Sequence, residues 1–198
     1  MAEIDLALSV ALGVALAAAS GFRVFVPLLV MSIAANTGHM SLGESFAWLG
    51  TLPALSMLAV AALVELVAYY IPGLDNLLDA LATPAAVVAG ILISAAAMTD
   101  IPPMLKWTLA IIAGGGAAGL TQSATTFMRA HSTVLTAGFG NPVIATGEII
   151  GAVAVSLLAL AAPFIAFAAV ALMLLLAFRL FRKLRRKPAN PDGNGSTM

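Results

Sequence analysis

The chain has 198 residues, of which 62% are hydrophobic and 9% charged, with a mean hydropathy of +1.06 and no formal net charge. Soluble domains carry about a quarter charged residues, so this sequence lacks a surface suited to water and reads as an integral membrane protein. Charge balance excludes the basic face that nucleic acid requires, and the absence of cysteine excludes thiol catalysis, disulfides and thiolate metal sites.

A helix needs about 20 apolar residues to cross a bilayer core, and the sequence divides into about six such stretches. The first runs from Leu6 to Ala35 and contains Ser20-Gly21 and Pro27. Its opening resembles the apolar part of a signal peptide. Glu3 and Asp5 precede it with no Lys or Arg, however, and the apolar run resumes after Arg23, so it is expected to be retained. The second covers Thr51 to Ile71. Next, Leu74, Leu77, Leu78 and Leu81 recur at helical spacing opposite Asp75, Asn76 and Asp79, which predicts a short helix lying in the interface. Tyr69 and Tyr70 suit the aromatic belt there. The third stretch runs from Pro84 to Thr99 and the fourth from Leu105 to Met128. Val143 to Phe181 is too long for one span and is divided at Ala161-Ala162-Pro163, as a hairpin rather than a kink. The predicted fold is an all-α polytopic transmembrane bundle, one domain over residues 1–187, with a disordered polar tail over 188–198.

Orientation follows the excess of Lys and Arg on the cytoplasmic side. Arg179, Arg182, Lys183, Arg185, Arg186 and Lys187 place the C-terminus in the cytoplasm, and six spans place the N-terminus there too. The loop from Asn36 to Gly50, without Lys or Arg, then lies outside. The expected location is a bacterial cytoplasmic (inner) membrane, with lipids as the evident partners.

Gly13, Ala17 and Gly21 recur every four residues, as do Gly115, Gly119 and Ser123 in the fourth stretch. Such small-residue faces let backbones approach closely. They are separated by about half the membrane portion, which fits two inverted three-helix repeats, with halves 1–103 and 104–187, as in many transporters. Chance recurrence in Ala/Gly-rich helices is the competing explanation.

The run Ser20-Gly21-Phe22-Arg23-Val24-Phe25-Val26-Pro27, then Glu65, then Ile71-Pro72-Gly73-Leu74-Asp75-Asn76 and Asp79, resembles a family of small bacterial membrane proteins known only as a domain of unknown function. Asn141-Pro142 followed by Glu148 is similar to its second-half pattern. Tyr69-Tyr70 depart from it, standing where an acidic–basic pair is common. The resemblance implies a multi-span fold and no particular activity.

Function therefore rests on ionisable residues inside apolar segments, the best pointer to function that a membrane sequence offers. Arg23, between Gly21 and Pro27, is a candidate anion contact at a helix break; snorkelling or a salt bridge, for instance with Asp100, is the structural alternative. Glu65 would pair with Arg129 or take up a proton; a helix-to-helix hydrogen bond is the structural alternative. Arg129 and Glu148 flank a polar loop and could pair with each other, and Asn141-Pro142 would begin the fifth span. Asp75 and Asp79 are weak metal candidates, and His39 and His131 lie in or beside loops, so no cofactor is expected. The first hypothesis is transport or permeation of a small solute or ion through a cavity containing Arg23, Glu65, Arg129 and Glu148. The second is a non-catalytic scaffold or assembly factor, and the third a lipid-modifying enzyme.

Overall fold

The computed structural model describes residues 2–71, 74–99, 101–136 and 138–185, with the side chains of residues 2–3, 74–77, 79, 180–181 and 184–185 outside the description. The polar tail, Arg186, Lys187 and Asp100 lie outside the described residues, as do the side chains of Asp75, Asp79 and Arg185. What is described is all-α, with eight helices: α1 (Ala2–Ser20), α2 (Phe25–Asn36), α3 (Leu52–Ala68), α4 (Leu74–Ala97), α5 (Pro103–Leu109), α6 (Gly116–Thr136), α7 (Asn141–Ala161) and α8 (Pro163–Arg185). A 3₁₀ segment, Glu44–Gly50, precedes α3, and a π-helical turn, Ala110–Gly115, joins α5 to α6 without interrupting the helix.

Three helical stretches, Ala80–Ala97, Pro103–Thr136 and Asn141–Ala161, are long and apolar enough to cross a membrane. The 3₁₀ segment with α3, bent by 68°, makes a fourth if it counts as one span. Ile4–Ser20, Phe25–Asn36 and Pro163–Arg179 are apolar but shorter. The chain is thus a multi-pass membrane protein by helix length and composition, and the leucine, valine and isoleucine side chains exposed along α3, α7 and α8 suit a lipid-facing surface.

The first stretch departs from expectation. It is not one crossing but a helical hairpin, α1 and α2, that reverses at Gly21–Val24. Gly13 of α1 lies against Ser94 near the end of α4, and Ser20 Oγ donates to Ala86 O at 3.2 Å, so α1 runs antiparallel to α4. The far end of α2 returns toward the end of α4 that faces Gly13 of α1. Asn36 Nδ2 donates to Gly50 O at 2.8 Å, Ser32 Oγ to Leu49 O at 2.6 Å, and Gly43 N to Ala96 O at 3.0 Å, the last closing the C-terminus of α4. Pro27 is not the breaker. It sits in the first turn of α2, where its missing N–H is no loss. Because of this reversal, the start of α1 lies at the end of the bundle that carries the 37–50 loop. The end of α8 lies at the other, so the first turns of α1 and the last turns of α8 are not on one side.

Two further boundaries differ. No separate interfacial helix precedes Pro84, since α4 runs unbroken from Leu74 through that proline to Ala97. The fourth stretch extends at both ends, to Pro103 and Thr136. At Ala162 the chain does form a hairpin: Val155 and Val170, on either side of the break, belong to one apolar cluster with Val14 and Ala18 of α1. A division into residues 1–103 and 104–187 falls at the first residue of α5, with four helices before it.

Small residues set the core. Ala15 to Ser20 are fully buried where α1 is enclosed by α4, α6, α7 and α8. A Cβ on Gly90 would meet Ala118 Cβ at 2.5 Å, and one on Gly114 would meet Ser94 Cβ at 2.5 Å, so α4 lies directly against the π-helical turn and the start of α6. Gly115 and Gly119 face Ile91 and Val87 of α4, not α1. The close approach of α1 to α6 is made instead by Gly21, where a Cβ would come within 2.4 Å of Ala118 O.

Candidate functional site

The α1–α2 reversal carries Arg23 into the middle of the bundle, where 1% of its surface remains exposed. Its Nη2 lies 3.1 Å from Glu148 Oε2 and donates to Ala145 O at 3.2 Å, both on α7. Glu148 also receives Arg129 of α6 side-on, through Nε to Oε1 at 2.9 Å and Nη2 to Oε2. One buried carboxylate thus joins two guanidiniums contributed by the hairpin turn and by α6. Planar bidentate geometry of this kind is what arginine offers and lysine does not.

Tyr69, the residue after the last turn of α3, lies against both arginines. Arg23 Cζ is 3.8 Å and Arg129 Cζ 4.2 Å from its ring centroid. A guanidinium over an aromatic face is attracted by the ring quadrupole, and more so away from water. Beside it, Tyr70 and Thr146 join α3 to α7 through their hydroxyls at 2.9 Å.

Glu65 stands apart from this cluster. Instead of pairing with Arg129, its Oε1 accepts from Val24 N at 2.8 Å and its Oε2 from Phe25 N at 3.0 Å. Helix starts leave amides without intrahelical acceptors, and Val24 has no side-chain oxygen to cap its own helix. Glu65 of α3 caps α2 from outside, with the negative end of the pair facing the positive end of the helix dipole.

Not every polar group is satisfied. Arg23 Nε and Nη1 have no hydrogen-bond partner among the described residues, and neither do the hydroxyls of Thr121, Ser94 and Ser156. Buried donors rarely remain so without water or a ligand. A cavity of about 440 Å³ adjoins the site between α3 and α4. Its walls include Val64, Ala68, Leu81, Ala82 and Ala85, and Glu65 and Tyr69 are its polar members.

The remaining sequence candidates fall elsewhere. Asn141 pairs with Thr133 through Nδ2 to Oγ1 at 3.1 Å rather than capping α7, and Pro142 occupies the first turn of that helix. His131 Nδ1 donates to Phe127 O of its own helix at 3.2 Å, and His39 contacts Thr37. No group of three or more His, Cys, Asp or Glu able to hold a metal occurs among the described residues. Tyr69 and the amides of Val24 and Phe25 were missed by sequence reasoning. A tyrosine at a span's end is ordinary, and a backbone donor leaves no signature.

The sequence profile of a family described as a domain of unknown function (DUF4126) matches residues 10–183. The chain belongs to the DUF4126 family. The match takes in every residue of the site, from Arg23 to Glu148. No curated protein and no solved structure matches the chain.

Proposed function

We propose that this DUF4126 protein moves a small anionic solute across a bacterial inner membrane, with Arg23 as the contact for its charged group. The observation that carries this reading is the buried guanidinium of Arg23, held where two helices end inside an apolar bundle, with two nitrogens lacking a partner. Helix ends gathered at a charged site are a recurring feature of solute binding in secondary transporters, and the α1–α2 reversal supplies such ends at Arg23. Stability alone explains the cluster poorly, since buried ion networks are often no more stable than apolar packing of the same volume. The basic end of α8 would face the cytoplasm and the start of α1 the outside.

The test is uptake into proteoliposomes. Radiolabelled short-chain carboxylates are offered to native protein, Arg23→Lys and Arg23→Ala, each checked for folding by thermal unfolding. Saturable uptake that is lost in Arg23→Ala and reduced in Arg23→Lys supports the reading. Flux indifferent to Arg23 in a folded variant, or no flux at all, refutes it.

A scaffold is the second reading, favoured by one observation: Glu148 ties α7 to α6 and to the α1–α2 turn, as a knitting residue would. Absence of flux together with a large loss of stability in the Glu148 variants described below would favour it.

A further inference from the structure

We infer that the cleft between α3 and α4 is a binding site for the apolar chain of an amphiphile whose head group is a carboxylate or phosphate, admitted from the lipid. This rests on the reading of Arg23 as an anion contact and specifies the ligand class. Four observations converge. The cleft, about 440 Å³, falls within the ~300–1,000 Å³ of small-molecule sites. Its walls are mostly apolar, with Glu65 and Tyr69 as the polar members, and α3 and α4, which form most of them, meet over only a short stretch. Val64 and Leu81, which line it, are 63% and 59% exposed, so it opens sideways, where a membrane protein meets acyl chains rather than water.

The fourth observation is what closes its inner end. Tyr69 lines the cleft and packs with its ring 3.8 Å from Arg23 Cζ, so its side chain touches both an apolar chamber and a guanidinium with unpartnered nitrogens. Tyr69 stands at the C-terminal end of α3, buried between the cleft and both arginines. Turning the ring joins the two spaces, and an oxyanion then offers Arg23 Nε and Nη1 the acceptors they lack. Glu65, also lining the cleft, does not compete for Arg23, because both its oxygens are engaged by the Val24 and Phe25 amides.

The experiment uses the full chain in phosphatidylcholine nanodiscs and dodecanoate carrying a diazirine at its terminal carbon. Cross-linked residues are mapped by mass spectrometry. Label is expected on Ala61, Val64 and Ala85, and not on Leu63, an exposed α3 residue outside the cleft. Excess dodecanoate should compete, dodecanol less, and dodecylamine least. Arg23→Gln should weaken competition by about tenfold, the worth of one charge-assisted hydrogen bond. Ala82→Phe should fill the cleft and abolish labelling. If that variant does not fold, Ala85→Leu serves. Exchanging the lipid for phosphatidylglycerol separates the sources: suppressed labelling identifies an anionic phospholipid as the occupant, and unchanged labelling a free alkyl carboxylate. Label scattered over lipid-facing positions without competition overturns the inference, as does stronger competition by dodecylamine. Cross-linking needs no flux. Cleft labelling of a protein that transports nothing upholds the site and refutes transport, whereas saturable uptake without cleft labelling does the reverse.

Discussion

Arg23 and Glu148 meet at 3.1 Å in the interior of the bundle, and the same carboxylate accepts a side-on pair of bonds from Arg129. The residue that ties the site together is therefore neither arginine but the glutamate. Removing one member of a buried ionic network leaves the others desolvated without a counter-charge, and that loss, rather than the net worth of the network, sets the cost of mutation.

Glu148→Ala should accordingly destabilise the fold by roughly 3–5 kcal/mol. Glu148→Gln keeps an acceptor in place but removes the charge and should cost less. Thermal unfolding in detergent measures both. Equal melting temperatures for native protein and Glu148→Ala would mean that the arginines find other partners.

Much of the bundle was legible in the sequence because apolar runs and polar gaps mark helices and loops directly. The proline at 163 marked where Val143 to Phe181 divides, and length decided for a hairpin over a kink. Arg129 and Glu148 could be brought together as candidates because they flank one loop at similar depth. The reversal at Gly21–Val24 was not legible, since a helix that crosses and one that turns back have the same composition. Gly21 signalled a weak point but not the direction the chain takes after it. Direction came from tertiary contacts, Gly13 with Ser94 and Asn36 with Gly50. The partner of Glu65 was missed because charge pairing suggested Arg129, whereas the helix start next to Arg23 supplied two amides. The contact face of α6 was misjudged by one residue, which on a helix of 3.6 residues per turn rotates it by about 100°.

The cap from Glu65 predicts an isosteric test. In Glu65→Gln only the carbonyl oxygen can accept, so one of the two amides loses its acceptor, at about 1–3 kcal/mol if it stays buried. Hydrogen exchange at the Val24 and Phe25 amides should accelerate in this variant while α7 amides change little. Unchanged exchange at both positions would show that α2 does not depend on Glu65.

Glycine contacts predict a graded series. Gly21→Ala drives a methyl to within 2.4 Å of Ala118 O and should cost at least the ~1–3 kcal/mol of ordinary overpacking. Gly119→Ala meets only Val87 Cγ2 at 3.2 Å and should be mild. Gly116 and Gly147 face open space within helices, so alanine there should be neutral or stabilising by up to about 1 kcal/mol. Melting temperatures that did not follow this order would contradict the α1–α6 contact.

The reversal of the first stretch makes the sharpest prediction, because it changes which side the N-terminus occupies. A single crossing from Leu6 to Ala35 would place Asp5 and Thr37 on opposite faces of the membrane. The α1–α2 hairpin instead returns Asn36 toward the end of the bundle from which α1 comes, with Gly13 and Gly43 both set against the last turn of α4. With no native cysteine to interfere, Asp5→Cys, Thr37→Cys and Lys183→Cys can each be tested in intact cells with an impermeant maleimide. Asp5→Cys and Thr37→Cys should be labelled from the same side, and Lys183→Cys only after the cells are opened. Labelling of Asp5→Cys and Lys183→Cys from one side, with Thr37→Cys from the other, would restore the single crossing and remove the turn that buries Arg23.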